Sequence, residues 1–181
     1  MSDAPWVGSS TPYLAANQGD AWRQEAATRG RSGSQRIAFT GEATPPEDIA
    51  SQLRLPSGEP AVMRRRLILL DDRPIEIADS FWPTHVARGT ALAAPGKIRG
   101  GAVTLLAEMG YTPAAVEEEI TTRPPTPDER DALELEDGEW VLVLNRWITA
   151  RDGNPYEASV MVTPGRIGRH HYAMKVDHHD G

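Results

Sequence analysis

Two segments of the chain carry the same pattern of residues, residues 46–83 and residues 126–164. The landmarks that match at a separation of 80 positions are Leu53 with Leu133, Leu55 with Leu135, Gly58 with Gly138, Glu59 with Glu139 and Arg66 with Arg146. The landmarks that match at a separation of 81 positions are Pro74 with Pro155, Glu76 with Glu157 and Pro83 with Pro164. The change of one position places a single inserted residue near a turn. A duplication of this kind restricts the fold to architectures that contain two equivalent units.

Each copy has the pattern of a short helix followed by a β-hairpin. The helices are predicted over 46–53 and 126–133, and the hairpin turns at Asp71–Asp72 and at Asp152–Gly153. Between the copies we expect a helix over 101–109 and a strand over 115–122. The sequence therefore predicts an α+β domain with a mostly antiparallel β-sheet, flanking helices and an internal pseudo-twofold repeat.

The two ends of the chain differ from this repeated body. Residues 1–35 are polar and rich in small residues, which predicts a partly ordered N-terminal arm with one helix over 20–30. Because the arm contains Trp6, Tyr13 and Trp22, we expect it to pack onto the body or onto a partner chain, with a lid over a ligand as the alternative. Residues 36–176 are predicted to form one ligand-binding domain with a last strand from residue 169. Residues 177–181 are predicted to be a disordered tail.

Composition excludes several classes of protein. The 181 residues include 19 Lys and Arg against 26 Asp and Glu, and the net charge of −7 argues against direct contact with nucleic acid. The absence of cysteine excludes disulfides and thiolate chemistry and fits a reducing compartment. The sequence has no signal-peptide pattern and no apolar stretch of about 18 residues, so we expect a cytoplasmic protein without a membrane segment.

Strand alternation in the first hairpin singles out two arginines. Arg64 and Arg66 lie on the same face of the predicted strand. With a two-residue turn, Arg64 is expected opposite Asp79 and Arg66 opposite Ile77. Arg64 then has a carboxylate partner, whereas Arg66 stays available to hold an anionic ligand. The alternative is that Arg66 forms an internal ion pair with a glutamate.

Glu157 and its duplicate Glu76 are the carboxylates at the junction of the two copies. A carboxylate there can bind a hydroxyl or amine of a ligand, or act as a general acid or base. The alternative is a structural ion pair of Glu157 with Arg66 or Arg146.

Other reactive side chains offer weaker patterns. The histidines have no metal-site spacing such as H-E-x-x-H, and no G-x-S-x-G motif marks a serine nucleophile. Gly101 precedes the predicted middle helix, where backbone N–H groups can hold an anion.

The order and spacing of these features resemble a known family. The run RRRLILLDDRPIEIADSFWP, the helix LLAEMG and the second hairpin with DGNP are similar to the UTRA domain, the effector-binding domain of GntR-type transcription regulators of the HutC subfamily. That domain is similar in fold to chorismate lyase, and the resemblance covers about residues 35–176. It implies a small-molecule sensor that acts through homodimerisation. A winged helix-turn-helix precedes this domain in such regulators, and this chain lacks one. We therefore expect either a free-standing UTRA protein, with DNA binding supplied by a partner chain, or a fragment of a longer regulator.

Individual residues match the family pattern only in part. Such domains often have R-x-R before the first turn, and here Arg66 matches its first position while Ile68 stands at the second. Gly101 stands where a phosphate-binding serine often begins the middle helix, Ala78 stands where a carboxylate often follows the turn, and the later glutamate is kept as Glu157. Since each missing charge-assisted contact contributes about 1.5–3 kcal/mol, the resemblance implies a carboxylate or weakly charged effector rather than a sugar phosphate.

The resemblance thus implies a ligand-binding site without metal, cofactor or catalytic residue. Its residues are Arg64, Arg66, Ser80, Gly101, Arg146 and Glu157. Two other functions stay open. One is a stand-alone chorismate-lyase-like enzyme, in which Arg66 and Glu157 hold and protonate a small anionic metabolite. The other is an interaction module whose pocket is filled by its own side chains.

Overall fold

The computed structural model describes residues 6–8 and 21–172, in which the strands form one sheet of two strands and one of six. The strands are β1 Trp6–Gly8, β2 Gly33–Ala43, β3 Ala61–Leu70, β4 Arg73–Pro83, β5 Ala115–Arg123, β6 Val141–Thr149, β7 Pro155–Pro164 and β8 Gly168–His170. The helices are α1 Ala21–Thr28, α2 Glu47–Gln52, α3 Thr84–Ala87, α4 Ala102–Glu108 and α5 Pro127–Ala132.

The six-stranded sheet brings the two copies of the repeat together at its centre. Its order is β2-β3-β4-β7-β6-β5, and every neighbouring pair is antiparallel. Asp79 of β4 lies opposite Val160 of β7, and the offset of 81 positions converts one of these residues into the other. The pseudo-twofold axis therefore passes through this pair. The predicted α+β fold with a mostly antiparallel sheet is confirmed.

The duplication extends beyond the segments recognised in the sequence. β2 precedes α2 just as β5 precedes α5, and these two strands form the two edges of the sheet. The residues that follow the two helices, Arg54 and Glu134, have φ angles of 53° and 52°, and both lie in the left-handed region. Because non-glycine residues rarely adopt this region, equal values at equivalent positions show that the repeat is kept in the backbone geometry.

A β-bulge interrupts each hairpin and sets its register. In the first hairpin Ile68 pairs with Glu76, and Ile75 is left as an extra residue. Tyr156 is the extra residue at the equivalent position of the second hairpin. A proline without an N–H group precedes each of these residues, which favours an interruption of the hydrogen-bonded ladder. The predicted pairs, Arg64 opposite Asp79 and Arg66 opposite Ile77, were therefore wrong by one residue.

The two hairpins also turn differently. Asp71 and Asp72 form the predicted two-residue turn, and both have positive φ, as a type I′ turn requires. In the second copy the N–H group of Ala150 donates to the carbonyl oxygen of Asn154 at 2.9 Å, so the equivalent turn has three residues, 151–153, and the predicted two-residue turn at Asp152–Gly153 was wrong. The inserted residue that separates the copies thus lies in this longer loop.

The predicted helices over 20–30 and 101–109 and the strand over 115–122 are confirmed by α1, α4 and β5. The sequence did not predict β2 as a strand.

Trp22 is buried against the six-stranded sheet, as expected for packing of the arm onto the body. Tyr13, the predicted tail and the predicted last strand beyond residue 172 lie outside the described residues.

Helices cover both faces of the six-stranded sheet. On one face α2 and α5 bury apolar clusters that include Ile49 and Leu133. On the other face α1 packs at one end and α3 with α4 at the opposite end. On β3, Val62 belongs to the cluster under α3 and α4 and Ile68 to the cluster under α1. The arginines predicted for the site lie between them, so a polar strip separates two apolar clusters.

Across the ranges that the structure describes, none of the helices has the length and apolar character of a membrane span.

Candidate functional site

One row of residues crosses the face between α1 and α4 and is polar in all six strands. In strand order it consists of Thr40, Arg64, Ser80, Ser159, Arg146 and Glu118. Residues paired across neighbouring strands point to the same face, so these six side chains line up across the sheet. The four central members are each at most 9% exposed. We call these six residues the polar row.

Further charged side chains flank the polar row on both sides. Glu157 lies two positions before Ser159 on β7 and is buried. Arg66 lies two positions after Arg64 on β3, and Glu76 lies opposite Ile68, one further step along the face. These side chains therefore surround the pseudo-twofold axis.

The two glutamates have equivalent hydrogen-bond partners. The indole N–H of Trp82 donates to Glu157 Oε2 at 2.9 Å, and the hydroxyl of Thr163 donates to Glu76. Trp82 and Thr163 occupy equivalent positions of the repeat, 81 residues apart. Glu157 also accepts a hydrogen bond from Ser159 at 3.3 Å. The duplication has thus kept a carboxylate and its cross-strand donor in each half.

The two equivalent arginines of the site are only partly satisfied. The Nε atoms of Arg66 and Arg146 are both buried and have no hydrogen-bond partner. Within the described ranges no salt bridge joins either arginine to Glu76 or Glu157. Burial lowers the pKa of the Arg66 guanidinium, and Glu76 and Glu157 oppose this effect by attraction. The internal ion pairs considered from the sequence are therefore not formed.

Arg64 has a different partner from the one predicted. Because of the bulge, it lies opposite Ser80, and Asp79 lies on the other face of the sheet, where it forms an ion pair with Arg65 at 2.6 Å. Arg64 instead donates to the carbonyl oxygen of Ala94 at 2.9 Å and to that of Gly96. The prediction that Asp79 neutralises Arg64 was wrong, and Arg64 holds the loop between α3 and α4 against the site.

The bulge also corrects the partner of Arg66. This residue lies opposite Ala78 rather than opposite Ile77 as predicted. Its Nη1 atom is 3.5 Å from Gln35 Oε1, at the limit of a hydrogen bond. The Nε atom of Arg66 stays without a partner, so this guanidinium still has a donor to offer to a ligand.

Glu76 has the most perturbed carboxyl group of the site. Burial raises its pKa to about 7, although Arg66, Arg146 and the Thr163 hydroxyl all favour the ionised form. Its surface remains partly accessible to solvent, unlike that of Glu157. The carboxyl group of Glu76 therefore takes up and releases a proton close to neutral pH.

Sequence reasoning missed two acidic members of the site. Glu76 was recognised only as the duplicate of Glu157. Glu118 stands between two other glutamates on β5, and strand alternation alone places it on the face opposite to theirs. Its Oε2 atom accepts a hydrogen bond from the Tyr172 hydroxyl at 2.8 Å, whereas its Oε1 atom is buried without a partner. The alternation was visible in the sequence, but the position of β5 beside β6 was not.

The structure brings five of the six predicted site residues together. Arg64, Ser80 and Arg146 belong to the polar row, and Arg66 and Glu157 flank it. Gly101 instead caps α4 with a φ of 86°, and α4 packs on the cluster that contains Trp82. Among the residues that the structure describes, no three His, Asp or Glu side chains are grouped as a metal site requires.

Comparisons with known proteins agree on one family. The family model described as the UTRA domain matches residues 28–167. An HTH-type transcriptional regulator of Streptomyces coelicolor is 34% identical over 132 residues, which are 71% of this chain and 49% of that protein. The chain therefore spans about half the length of this curated relative.

Solved structures share the fold. The effector domain of PhnF from Mycobacterium smegmatis superposes with a TM-score of 0.71 at 17% identity, over 86% of this chain and 94% of that chain. A protein assigned to the GntR family of transcriptional regulators superposes with a TM-score of 0.78 at 25% identity, over 96% of this chain and 71% of that chain. The fold of this chain is thus shared with both solved structures.

Proposed function

Because this chain belongs to the UTRA domain family, we propose that it is the small-molecule sensor domain of a GntR-type transcription regulator of the HutC subfamily. It acts as a homodimer in the cytoplasm. The DNA contacts are made by a winged helix-turn-helix that another chain or segment supplies, since the net charge of −7 disfavours binding of this domain to phosphates.

The observation that carries this proposal is the pair of buried, unpartnered Nε atoms on Arg66 and Arg146. A buried N–H donor without a partner costs about 1–3 kcal/mol, and more for a charged group. An anionic ligand that accepts from both guanidinium groups removes this penalty. The two arginines are equivalent in the repeat and face the same axis, so one small ligand on this axis can reach both.

Five of the predicted residues surround the ligand, namely Arg64, Arg66, Ser80, Arg146 and Glu157, whereas Gly101 begins α4, which packs on the cluster that contains Trp82. The guanidinium groups of Arg66 and Arg146 bind its anionic group, and Ser80 and Glu157 bind hydroxyl or N–H groups. Arg64 acts through the loop at Ala94 and Gly96, which closes over the ligand. A carboxylate or a weakly charged molecule suits a site in which carboxylates stand beside the arginines.

Binding is tested by isothermal titration of the purified protein with a panel of small carboxylic acids. Arg146→Gln is expected to weaken binding at least about tenfold, because it removes a charge-assisted hydrogen bond. The matched control is Arg36→Gln, since Arg36 lies on the exposed part of β2. Equal affinity of the Arg146 variant and the control would contradict the assignment of this site.

Dimerisation and the lack of DNA contact are tested separately. Native mass spectrometry of protein purified from its own host reports the dimer mass and any retained ligand together. An electrophoretic shift assay with operator DNA is expected to show no complex with this chain alone. A specific complex would contradict the proposal that another chain or segment makes the DNA contacts.

A second candidate function is a chorismate-lyase-like enzyme. It is favoured by Glu76, because a carboxyl group whose pKa burial raises to about 7 can act as a general acid or base at neutral pH. Mass spectrometry of a small anionic metabolite after incubation would then show a product, and Glu76→Gln would abolish turnover while binding remains. Recovery of every bound ligand unchanged would exclude this candidate.

A further inference from the structure

A hydrogen-bond donor and a hydrogen-bond acceptor, both without partners, lie on adjacent strands at one end of the polar row. Arg146 of β6 lies directly opposite Glu118 of β5, and both side chains point to the same face. Arg146 is only 9% exposed and its Nε atom has no partner, and the buried Oε1 atom of Glu118 also has none. The two side chains have opposite charges, yet they do not bond to each other.

This arrangement is held in place by its surroundings. Glu118 is held by the Tyr172 hydroxyl, which donates to its Oε2 atom at 2.8 Å. Arg146 lies between Glu118 on one side and Ser159 on the other. One carboxylate oxygen of Glu118 is therefore occupied, and the other is buried without a partner.

A bound group that satisfies both open atoms must accept from the guanidinium and donate to the carboxylate. A carboxylate alone satisfies Arg146, but it leaves Glu118 unpaired and adds a like charge beside it. An amine alone satisfies only Glu118. Cβ atoms of directly opposed residues in an antiparallel pair are about 4.5–5.5 Å apart, so an acceptor and a donor attached to the same carbon can reach both side chains.

The mixture of charges in the site favours a ligand that carries both signs. Three arginines, Arg64, Arg66 and Arg146, lie near three glutamates, Glu76, Glu118 and Glu157, of which Glu76 is partly protonated near neutral pH because burial raises its pKa to about 7. Charges removed from water are stable only when they are balanced and hydrogen-bonded. A zwitterion supplies both kinds of partner and leaves this balance unchanged.

We propose that the ligand is a zwitterion of the α-amino acid type, with its carboxylate on Arg146 and its ammonium group on Glu118. This inference rests on the proposed sensor function of the same site and names the class of ligand. It makes Glu118 the residue that distinguishes amino acids from other carboxylic acids of the same shape.

The test compares matched pairs of ligands by isothermal titration: each of the common L-amino acids and the carboxylic acid with the same carbon skeleton but no amino group. In the best-binding pair the amino acid is expected to bind at least about tenfold more tightly. Glu118→Gln is expected to remove this preference while the affinity for the deaminated acid changes little. Arg146→Gln is expected to weaken both members of the pair.

The control variant is Glu119→Gln, the adjacent glutamate on β5, which is exposed and lies on the opposite face of the strand. This variant should keep the full preference for amino acids over their deaminated analogues. Circular dichroism should show that the Glu118, Arg146 and Glu119 variants are all folded. The zwitterion proposal is overturned if the deaminated acids bind as tightly as the amino acids or more tightly. It is also overturned if Glu118→Gln keeps the preference for amino acids. In both cases the proposed sensor function stands. Failure of both series to bind would overturn the zwitterion, and titration with the wider panel of small carboxylic acids then shows whether the sensor function stands.

Discussion

Glu76 in the first copy of the repeat and Glu157 in the second occupy equivalent positions, yet their surroundings differ. Glu157 is 5% exposed and accepts hydrogen bonds from Trp82 and Ser159. Glu76 is partly accessible, accepts from Thr163, and has its pKa raised to about 7 by burial. One half of the site therefore holds a fully satisfied carboxylate and the other half holds one that titrates near neutral pH.

The difference comes from the segments that cover the sheet, not from the sheet itself. The Glu157 end lies under α3, α4 and the loop between them, which belong to the linker between the copies. The Glu76 end lies near α1, which precedes the first copy. Duplication thus provides two equivalent backbones, and unique segments make the two halves chemically different.

The largest expected effect concerns the donors to these two glutamates. Trp82→Ala should lower the free energy of unfolding by about 3–5 kcal/mol, because Trp82 is 1% exposed and its loss leaves a cavity. Trp82→Phe keeps most of the packing and should cost about 1–3 kcal/mol through the unpaired Glu157 oxygen. Thr163→Val, the equivalent change in the other half, should cost less because water can reach Glu76. Urea denaturation measures the free energy of unfolding of all three variants. Equal losses for Trp82→Phe and Thr163→Val would contradict the difference between the two halves of the site.

The next effect is the pH dependence that Glu76 brings to stability. Its pKa is about 7 in the folded protein against an ordinary value of 4.5, so the folded state binds the proton more tightly than the unfolded state. The free energy of unfolding should therefore fall between about pH 4.5 and pH 7 and then level off. The groups that oppose or add to this shift are Arg66, Arg146, Thr163 and Glu25.

Glu76→Gln should remove this fall. The stability of the variant relative to the natural protein should rise by about 1–3 kcal/mol between pH 4.5 and pH 8. Denaturation curves at a series of pH values measure this difference. A difference that does not change with pH would show that Glu76 is not the titrating group.

The smallest expected effect tests the helices of the two copies. Thr126 and Glu129 form a reciprocal capping box at the start of α5, whereas the equivalent N-cap of α2, Pro46, makes no side-chain bond. Thr126→Ala should lower the free energy of unfolding by about 1 kcal/mol. Pro46→Ala removes no such bond and should change it by less than about 0.5 kcal/mol. Thermal melting of both variants compares the two losses of stability. A larger loss for Pro46→Ala than for Thr126→Ala would contradict this prediction.

Much of the candidate site was predictable because strand alternation is local. The alternation from Arg64 to Ile68 placed Arg64 and Arg66 on one face, and the repeat added Arg146 and Glu157. The pairing partners were not predictable in the same way. The extra residue Ile75 shifts every pair beyond it by one position, and only the folded hairpin reveals which residue is left out of the ladder.

The acidic part of the site was harder to find. Glu118 is the middle one of three consecutive glutamates on a predicted strand, and nothing local ties it to Arg146, which is 28 positions later. Its inclusion depends on β5 pairing with β6, and its orientation depends on Tyr172. Contacts over such separations are formed by tertiary packing and leave no periodic signal in the sequence.

The sequence by itself determined the duplication, the α+β class and the face on which the arginines lie, because offsets and alternation are properties of the linear chain. Only the tertiary structure decided that the two copies meet at β4 and β7 and that six polar residues form one row across the sheet. It also decided which carboxylates stay unsatisfied, since burial and partner geometry depend on the segments that cover each half. These are long-range properties, and for that reason the chemistry of the site emerges only when the strands are side by side.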